Sequence, residues 1–241
     1  MPAPSAAGIM PARYASTRFP GKPLAQIAGL PMLQRVFERT REAKRLEAVF
    51  VATDDERIAE ACTRFGAPVL MTRPDHPSGT DRVAEAARSL DHDVIVNVQG
   101  DEPLIEGFVI DAAVEALLED DQTPMSTVVH ALDADALDDP NRVKVVLDRA
   151  GYALHFSRNP IAYERGAARV TWQHVGLYAY RRPFLMEFVA LPRSPAEEAE
   201  KLEQLRALEH GCRIRVAVIE GWHSLPVDTP EDAARVEALL A

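Results

Sequence analysis

The sequence predicts an α/β fold: a mostly parallel central sheet with helices on both faces and an antiparallel excursion in its second half. Three observations predict it. Strand-length runs rich in β-branched residues, Ala48–Ala52, Pro68–Met71 and Val94–Val98, are apolar almost throughout, as strands covered on both faces are. Between them, Met32–Lys44, Asp55–Phe65 and Thr80–Leu90 carry apolar residues at helical spacing. A hairpin signal, Asp148-Arg149-Ala150-Gly151, appears only later, between the runs Val143–Leu147 and Tyr152–Phe156.

The elements justify themselves in order. Ala6–Met10 reads as a first strand, Met32, Leu33, Val36, Phe37 and Thr40 as one helix face, and Ile58, Ala61, Cys62 and Phe65 as a second. Val175–Tyr180 is a further strand, followed by two helices. The second of these, Ala196–His210, places Ala199, Leu202, Leu205 and Leu208 on one stripe and ends at Gly211. Arg213–Ile219 is a strand, and Pro230–Leu240 a closing helix. With no repeat, low-complexity tract or linker, the 241 residues read as one domain.

The net charge of −10 supplies no basic field for nucleic acid or an anionic membrane. Cations that hold an anionic substrate must therefore be gathered locally. No segment approaches the roughly 20 apolar residues of a membrane span. Cys62 and Cys212 lie far apart without metal spacing, and Met1–Gly8 lacks a basic leader region, so the expectation is a cytoplasmic protein.

Three segments carry chemistry. Pro11–Pro23 follows the first strand and gathers Arg13, Arg18 and Lys22 among Gly, Ser and Thr. In an open parallel sheet, ligands bind beyond the C-terminal strand ends, so this loop suits a polyphosphate. It is neither a Walker loop nor a dinucleotide fingerprint. Its alternative is a solvated basic loop. Gln99-Gly100-Asp101-Glu102-Pro103 follows Val94–Val98 and places a carboxylate where a nucleotide-binding sheet would hold Mg²⁺; a polar turn explains it equally well. In Val227-Asp228-Thr229-Pro230, Asp228 or Thr229 is a ready N-cap. A functional Asp228 would have to face Asp101. Ser78-Gly79-Thr80-Asp81-Arg82 opens a helix whose amides could take a base or phosphate edge. His174, Glu203 and Gln204 read by default as structural or solvated positions. No nucleophilic serine elbow and no His/Cys metal cluster is present.

Together the segments resemble the 3-deoxy-manno-octulosonate (Kdo) cytidylyltransferases, or CMP-Kdo synthetases, from about Ile9 to the C-terminus. The resemblance rests on PARYASTRFPGKPL, VATDDERI, SGTDR, NVQGDEP, VKVVLD, HFSR, HVGLYAY, KLEQLRALEHG and VDTPED, in that order. It implies a Rossmann-like nucleotidyltransferase domain over residues 1–241, with about 130–180 adding sugar-pocket and dimer-contact strands. It implies a homodimer that uses CTP and Kdo, with Mg²⁺ as cofactor, for lipopolysaccharide synthesis. Arg13, Arg18 and Lys22 would hold the CTP phosphates, with Asp101 beside them in catalysis; Ser78 and Gly79 would line the cytosine pocket. Asp101 and Asp228 would take Mg²⁺. Gln99, Arg158, His174, Tyr178, Glu203 and Gln204 would surround the sugar acid.

Some relatives use an 8-amino sugar and carry Gln where this chain has Glu102, so Glu102 favours plain Kdo. The opening loop and Glu203-Gln204 separate the chain from sialic acid ligases. The presence of Lys22, Asp101 and Asp228 argues against a relative that has lost catalysis. The sequence departs from the family in its first strand, where Ala6-Ala7-Gly8-Ile9-Met10 replaces the usual Val/Ile run.

Overall fold

The structure, a computed structural model, describes residues 3–15, 19–133, 136–162 and 171–240. The chain forms two compact units, Met1–Asp111 with Ser224–Ala241, and Ala112–His223.

The first unit holds four parallel strands in the order β6-β1-β4-β5: β1 (Ala6–Ala12), β4 (Ala48–Thr53), β5 (Val69–Met71) and β6 (Val94–Asn97). Between β1 and β4 come a 3-10 turn (Lys22–Leu24), a small hairpin of β2 (Gln26–Ile27) and β3 (Leu30–Pro31), and helix α1 (Met32–Thr40). Helices α2 (Glu56–Phe65) and α3 (Gly79–Ala87) link the later strands, and α4 (Gly107–Leu118) follows β6. The small residues of β1 have a packing reason. A Cβ on Gly8 would lie 2.9 Å from Leu46 Cδ1, so the neighbouring side chains already fill that space.

Helix α1 stops at Thr40 rather than at Lys44. The amides of Lys44 and Arg45 instead donate to the Asp111 carboxylate at 3.0 and 2.7 Å, which caps the end of the segment.

In the second unit, β7 (Met125–Ala131) pairs parallel with β11 (Ile214–Ile219) and antiparallel with β10 (Thr171–Arg181); β8 (Lys144–Leu147) pairs antiparallel with both β10 and β9 (Ala153–Ser157). The predicted β8–β9 hairpin is present. Asp148 Oδ1 accepts from the amides of Ala150 and Tyr152, and Gly151 takes a φ of 79° at the turn.

After α5 (Arg182–Ala190), the helix expected over Ala196–His210 is two: α6 (Pro195–Glu200) and α7 (Gln204–Glu209). Lys201 turns to φ 54° between them. The cause is a long-range bond. The Glu200 carbonyl that a continuous helix would use accepts from Arg158 Nε at 2.8 Å. The break leaves Ala199 exposed, whereas Leu202 and Leu205 stay buried.

The final helix, α8 (Pro230–Leu240), belongs to the first unit and buries Val227, Ala233 and Val236 against Ile27 and Met32. That packing fixes the segment just before it, Val227-Asp228. Among the described residues, no helix is long and apolar enough to cross a membrane.

Candidate active site

A cleft of about 300 Å³ opens in the first unit at the C-terminal ends of the parallel strands β1 and β6. Its walls include Arg13 and Lys22 from the basic loop, Ser78 and Gly79 at the start of α3, and Gln99, Gly100 and Asp101 after β6. Asp228 completes it from the segment before α8.

The polar centre of the cleft is a three-residue cluster. Lys22 Nζ donates to Asp101 Oδ2 at 2.9 Å and to Asp228 Oδ1 at 3.2 Å. The Lys22 side chain is 15% exposed, against 31% and 36% for the two aspartates, so the ion pairs face open space rather than core. The amide of Val227 donates to the Asp101 carbonyl at 2.8 Å, holding the two acidic segments side by side.

Asp228 is not the cap of α8, and its carboxylate faces Lys22. Thr229 Oγ1 accepts from the Asp232 amide, and Asp232 Oδ2 accepts from the amides of Asp228 and Thr229. Burial works against the charge of Asp232, but those backbone bonds hold its carboxyl below the usual carboxylate range. Capping and pairing with Lys22 are thus divided between adjacent residues.

Ser78 stands at the start of α3. It caps α3 by accepting from the Asp81 amide, and it lines the cleft. Gly79 sits beside Pro11, whose Cγ a Cβ would approach to 3.3 Å. Gln99 is steadied from behind: its Nε2 donates to Asn97 Oδ1 at 3.0 Å, and Asn97 Nδ2 donates to Thr80 Oγ1 at 3.3 Å. Glu102 is buried and accepts from Ser224 Oγ. Arg18 lies outside the described residues.

Two cleft residues have no role in the sequence reading. His76 is bonded through Nε2 to Glu85, and Arg82 forms a 2.7 Å ion pair with Asp54 while donating to Thr72 Oγ1. The signal available was their adjacency to Ser78-Gly79, since both stand within five residues of it in HPSGTDR.

Of the residues assigned to the sugar, five lie in the second unit: His174 and Tyr178 on β10, Arg158 just after β9, and Glu203 and Gln204 at the start of α7. The His174 and Tyr178 ring centroids are 5.4 Å apart, and the Glu203 carboxylate is near enough to raise the Tyr178 pKa further beyond the rise that burial causes. Burial pushes His174 down to about 3, so its ring is neutral. Thr127 Oγ1 donates its single proton to the Leu177 carbonyl at 2.7 Å; His174 Nε2, 3.0 Å from the same oxygen, therefore donates. Nδ1 is left as an acceptor.

Gln204 is not the solvated residue its place outside the leucine stripe suggests: it is buried, and its Nε2 has no hydrogen-bond partner among the described residues. Arg158 donates through Nε to the Glu200 carbonyl and through Nη1 to the Pro140 carbonyl, both at 2.8 Å. Its guanidinium is thus anchored to the backbone.

Asp101 and Asp228 fit a Mg²⁺ ion by chemistry, because these two partly exposed carboxylates already share one cation, the Lys22 ammonium. Among the described residues no group of three or more His, Cys, Asp or Glu side chains converges, so water and substrate would complete the shell.

The sequence profile described as cytidylyltransferase matches residues 7–214. The chain belongs to the cytidylyltransferase family. This cytidylyltransferase is 53% identical over 98% of its length, and 98% of the relative's, to the 3-deoxy-manno-octulosonate cytidylyltransferase of Syntrophotalea carbinolica. It is also 53% identical to the enzyme of that name from Solibacter usitatus, over 97% and 93% of the two chains. Among solved structures, CMP:2-keto-3-deoxy-manno-octonic acid synthetase complexed with CTP aligns with a TM-score of 0.92 and 42% identity, covering 98% of each chain. The 4-diphosphocytidyl-2C-methyl-D-erythritol synthase of Anaerococcus prevotii, at 12% identity and a TM-score of 0.67, shares the fold. The cytidylyltransferase is accordingly a nucleotidyltransferase with an α/β fold.

Proposed function

We infer that the enzyme transfers the cytidylyl group of CTP to Kdo, giving CMP-Kdo and pyrophosphate. The observation that carries this reading is the Lys22–Asp101–Asp228 cluster, set in a strand-end cleft of a chain that matches Kdo cytidylyltransferases over nearly its whole length.

The chemistry needs alignment and charge neutralisation more than covalent help. The anomeric hydroxyl of the sugar attacks the α-phosphorus. An O–P bond forms, the bond to the bridging oxygen of the β-phosphate breaks, and the hydroxyl proton is lost. Arg13, Arg18 and Lys22 hold the triphosphate and the departing pyrophosphate. Without phosphate, the Lys22 ammonium balances two carboxylates; an entering triphosphate offers it a further anion. Asp101 and Asp228 would hold Mg²⁺, which would supply charge neutralisation for the phosphates and lower the pKa of the attacking hydroxyl.

Ser78 and Gly79 meet the cytosine. The sugar acid is met by Gln99, Arg158, His174, Tyr178, Glu203 and Gln204, the unpaired Gln204 amide and the neutral His174 acceptor being suited to hydroxyl groups. An 8-amino sugar is not favoured, since the relatives carry the plain sugar in their names.

We place the enzyme in the cytoplasm, supplying CMP-Kdo for lipopolysaccharide synthesis, in keeping with two cysteines that are free thiols. We assign it a homodimer through the strands of residues 130–180. Leu154 on β9, 61% exposed, suits such a contact, and the molar mass from light scattering tests it, a monomer overturning the assignment. Pyrophosphate release requires CTP, Mg²⁺ and Kdo together. Equal release with UTP, or with sialic acid in place of Kdo, would overturn the substrate assignment.

A further inference from the structure

Tyr14 stands at the base of the basic loop between Arg13 and Lys22, and two contacts hold it. On the loop's return, the Gly21 amide donates to the Tyr14 carbonyl at 3.1 Å. Gly21 itself lies against the ring: a Cβ there would meet Tyr14 Cζ and the phenolic oxygen, both at 3.2 Å, and its φ of 70° already favours glycine. From the other element, the Arg57 guanidinium stacks on the Tyr14 ring with Cζ 3.3 Å from the centroid.

Arg57 is not left to wander. Its Nε and Nη2 donate to the two oxygens of Asp55 at 2.9 and 2.6 Å, and Asp55 is itself fixed as the N-cap of α2, accepting from the Arg57 amide. The guanidinium holds the Asp55 carboxyl below the usual carboxylate range. The bidentate ion pair stands at the start of α2 and aims the guanidinium at the ring.

We propose that Arg57 is a positioning residue for the triphosphate, acting through Tyr14: the Asp55–Arg57 pair clamps the Tyr14 ring, which seats Gly21 and so sets the neighbouring Lys22 and Arg13 in the cleft wall. Arg57 touches no substrate; its effect is on the loop's geometry. The proposal rests on Arg13 and Lys22 holding the triphosphate.

The test uses the full chain. Arg57→Ala raises the KM for CTP about three- to fivefold, the size of an exposed cation–π contact, with kcat and the KM for Kdo unchanged. Arg57→Lys, which keeps the charge but not the planar stack, gives an intermediate KM. Tyr14→Leu matches Arg57→Ala, and the double variant is no worse than either single. Tyr14→Phe keeps the ring and restores the KM. Because Arg57 is 59% exposed, the melting temperature stays within a few degrees of wild type, so the KM change is not a folding defect. Amide exchange at Gly21 speeds up in Arg57→Ala, a readout that needs no turnover. Wild-type protein inert toward CTP and Kdo would defeat the substrate assignment and leave the clamp to be judged on exchange alone. An Arg57→Ala variant with wild-type exchange at Gly21, or an unchanged KM for CTP in active enzyme, would overturn the proposal.

Discussion

The cluster at Lys22 and the cluster at His174 treat polarity in opposite ways. In the first, full charges are kept: an ammonium lies between two carboxylates that are each about a third exposed. In the second, burial strips charge away, pushing His174 down to about 3 and the Tyr178 phenol well up. The first arrangement can exchange ionic partners at low cost because water screens each rearrangement. Within the second, His174 and Gln204 offer neutral donors and acceptors of fixed direction, the His174 Nδ1 lone pair and the Gln204 Nε2 protons. A triphosphate and a polyhydroxyl acid call for those two kinds of surface.

The largest test of this contrast is at the charged end. Lys22→Ala lowers kcat/KM by about 10²–10³, the usual cost of removing one group that stabilises developing charge. Steady-state kinetics with CTP varied check it. A loss below tenfold would make the loop a solvated surface feature.

At the neutral end the effects are smaller and fall on the other substrate. His174→Gln raises the KM for Kdo about tenfold and leaves the KM for CTP unchanged. The same variant tests the protonation argument. The unfolded chain binds a proton at the ordinary imidazole value of 6.5 whereas the folded one does so only near 3. Stability is therefore fully present above pH 6.5 and falls as the pH drops through that window. Urea melts of His174→Gln between pH 4 and 6 show a slope shallower by at most about 1.4 kcal/mol per pH unit. An identical slope would remove His174 from the buried, neutral class.

The smallest effect separates binding from folding. Gln204→Leu costs no stability, since it replaces an amide whose nitrogen is buried without a partner; it still raises the KM for Kdo several-fold. A melting temperature lowered by about 5 °C or more would instead show the amide to be satisfied in the fold.

These two regions were also unequally legible. The basic loop could be read from scratch because its cations stand together in sequence and follow a strand. Asp228 could not, since capping and cation binding call for the same residue types; only the Thr229–Asp232 exchange shows which residue caps. The break at Lys201 was hidden because it depends on Arg158, 42 residues away from Glu200. Periodicity over Ala196–His210 carries no trace of that contact. His76 and Arg82 are silent in the sequence for a similar reason: their partners are Glu85 and Asp54, which only the fold brings near. The Arg57–Tyr14 stack likewise joins two segments that each look complete alone.

If Asp101 and Asp228 act as a pair on one cation, both contribute to its binding. Calorimetric titration of Mg²⁺ into the CTP-loaded enzyme tests it most directly, with Asp101→Asn and Asp228→Asn beside the wild type. Either variant is expected to weaken Mg²⁺ binding by about tenfold or more while the melting temperature is kept, with turnover lost as well. Wild-type Mg²⁺ affinity in either variant would contradict the account.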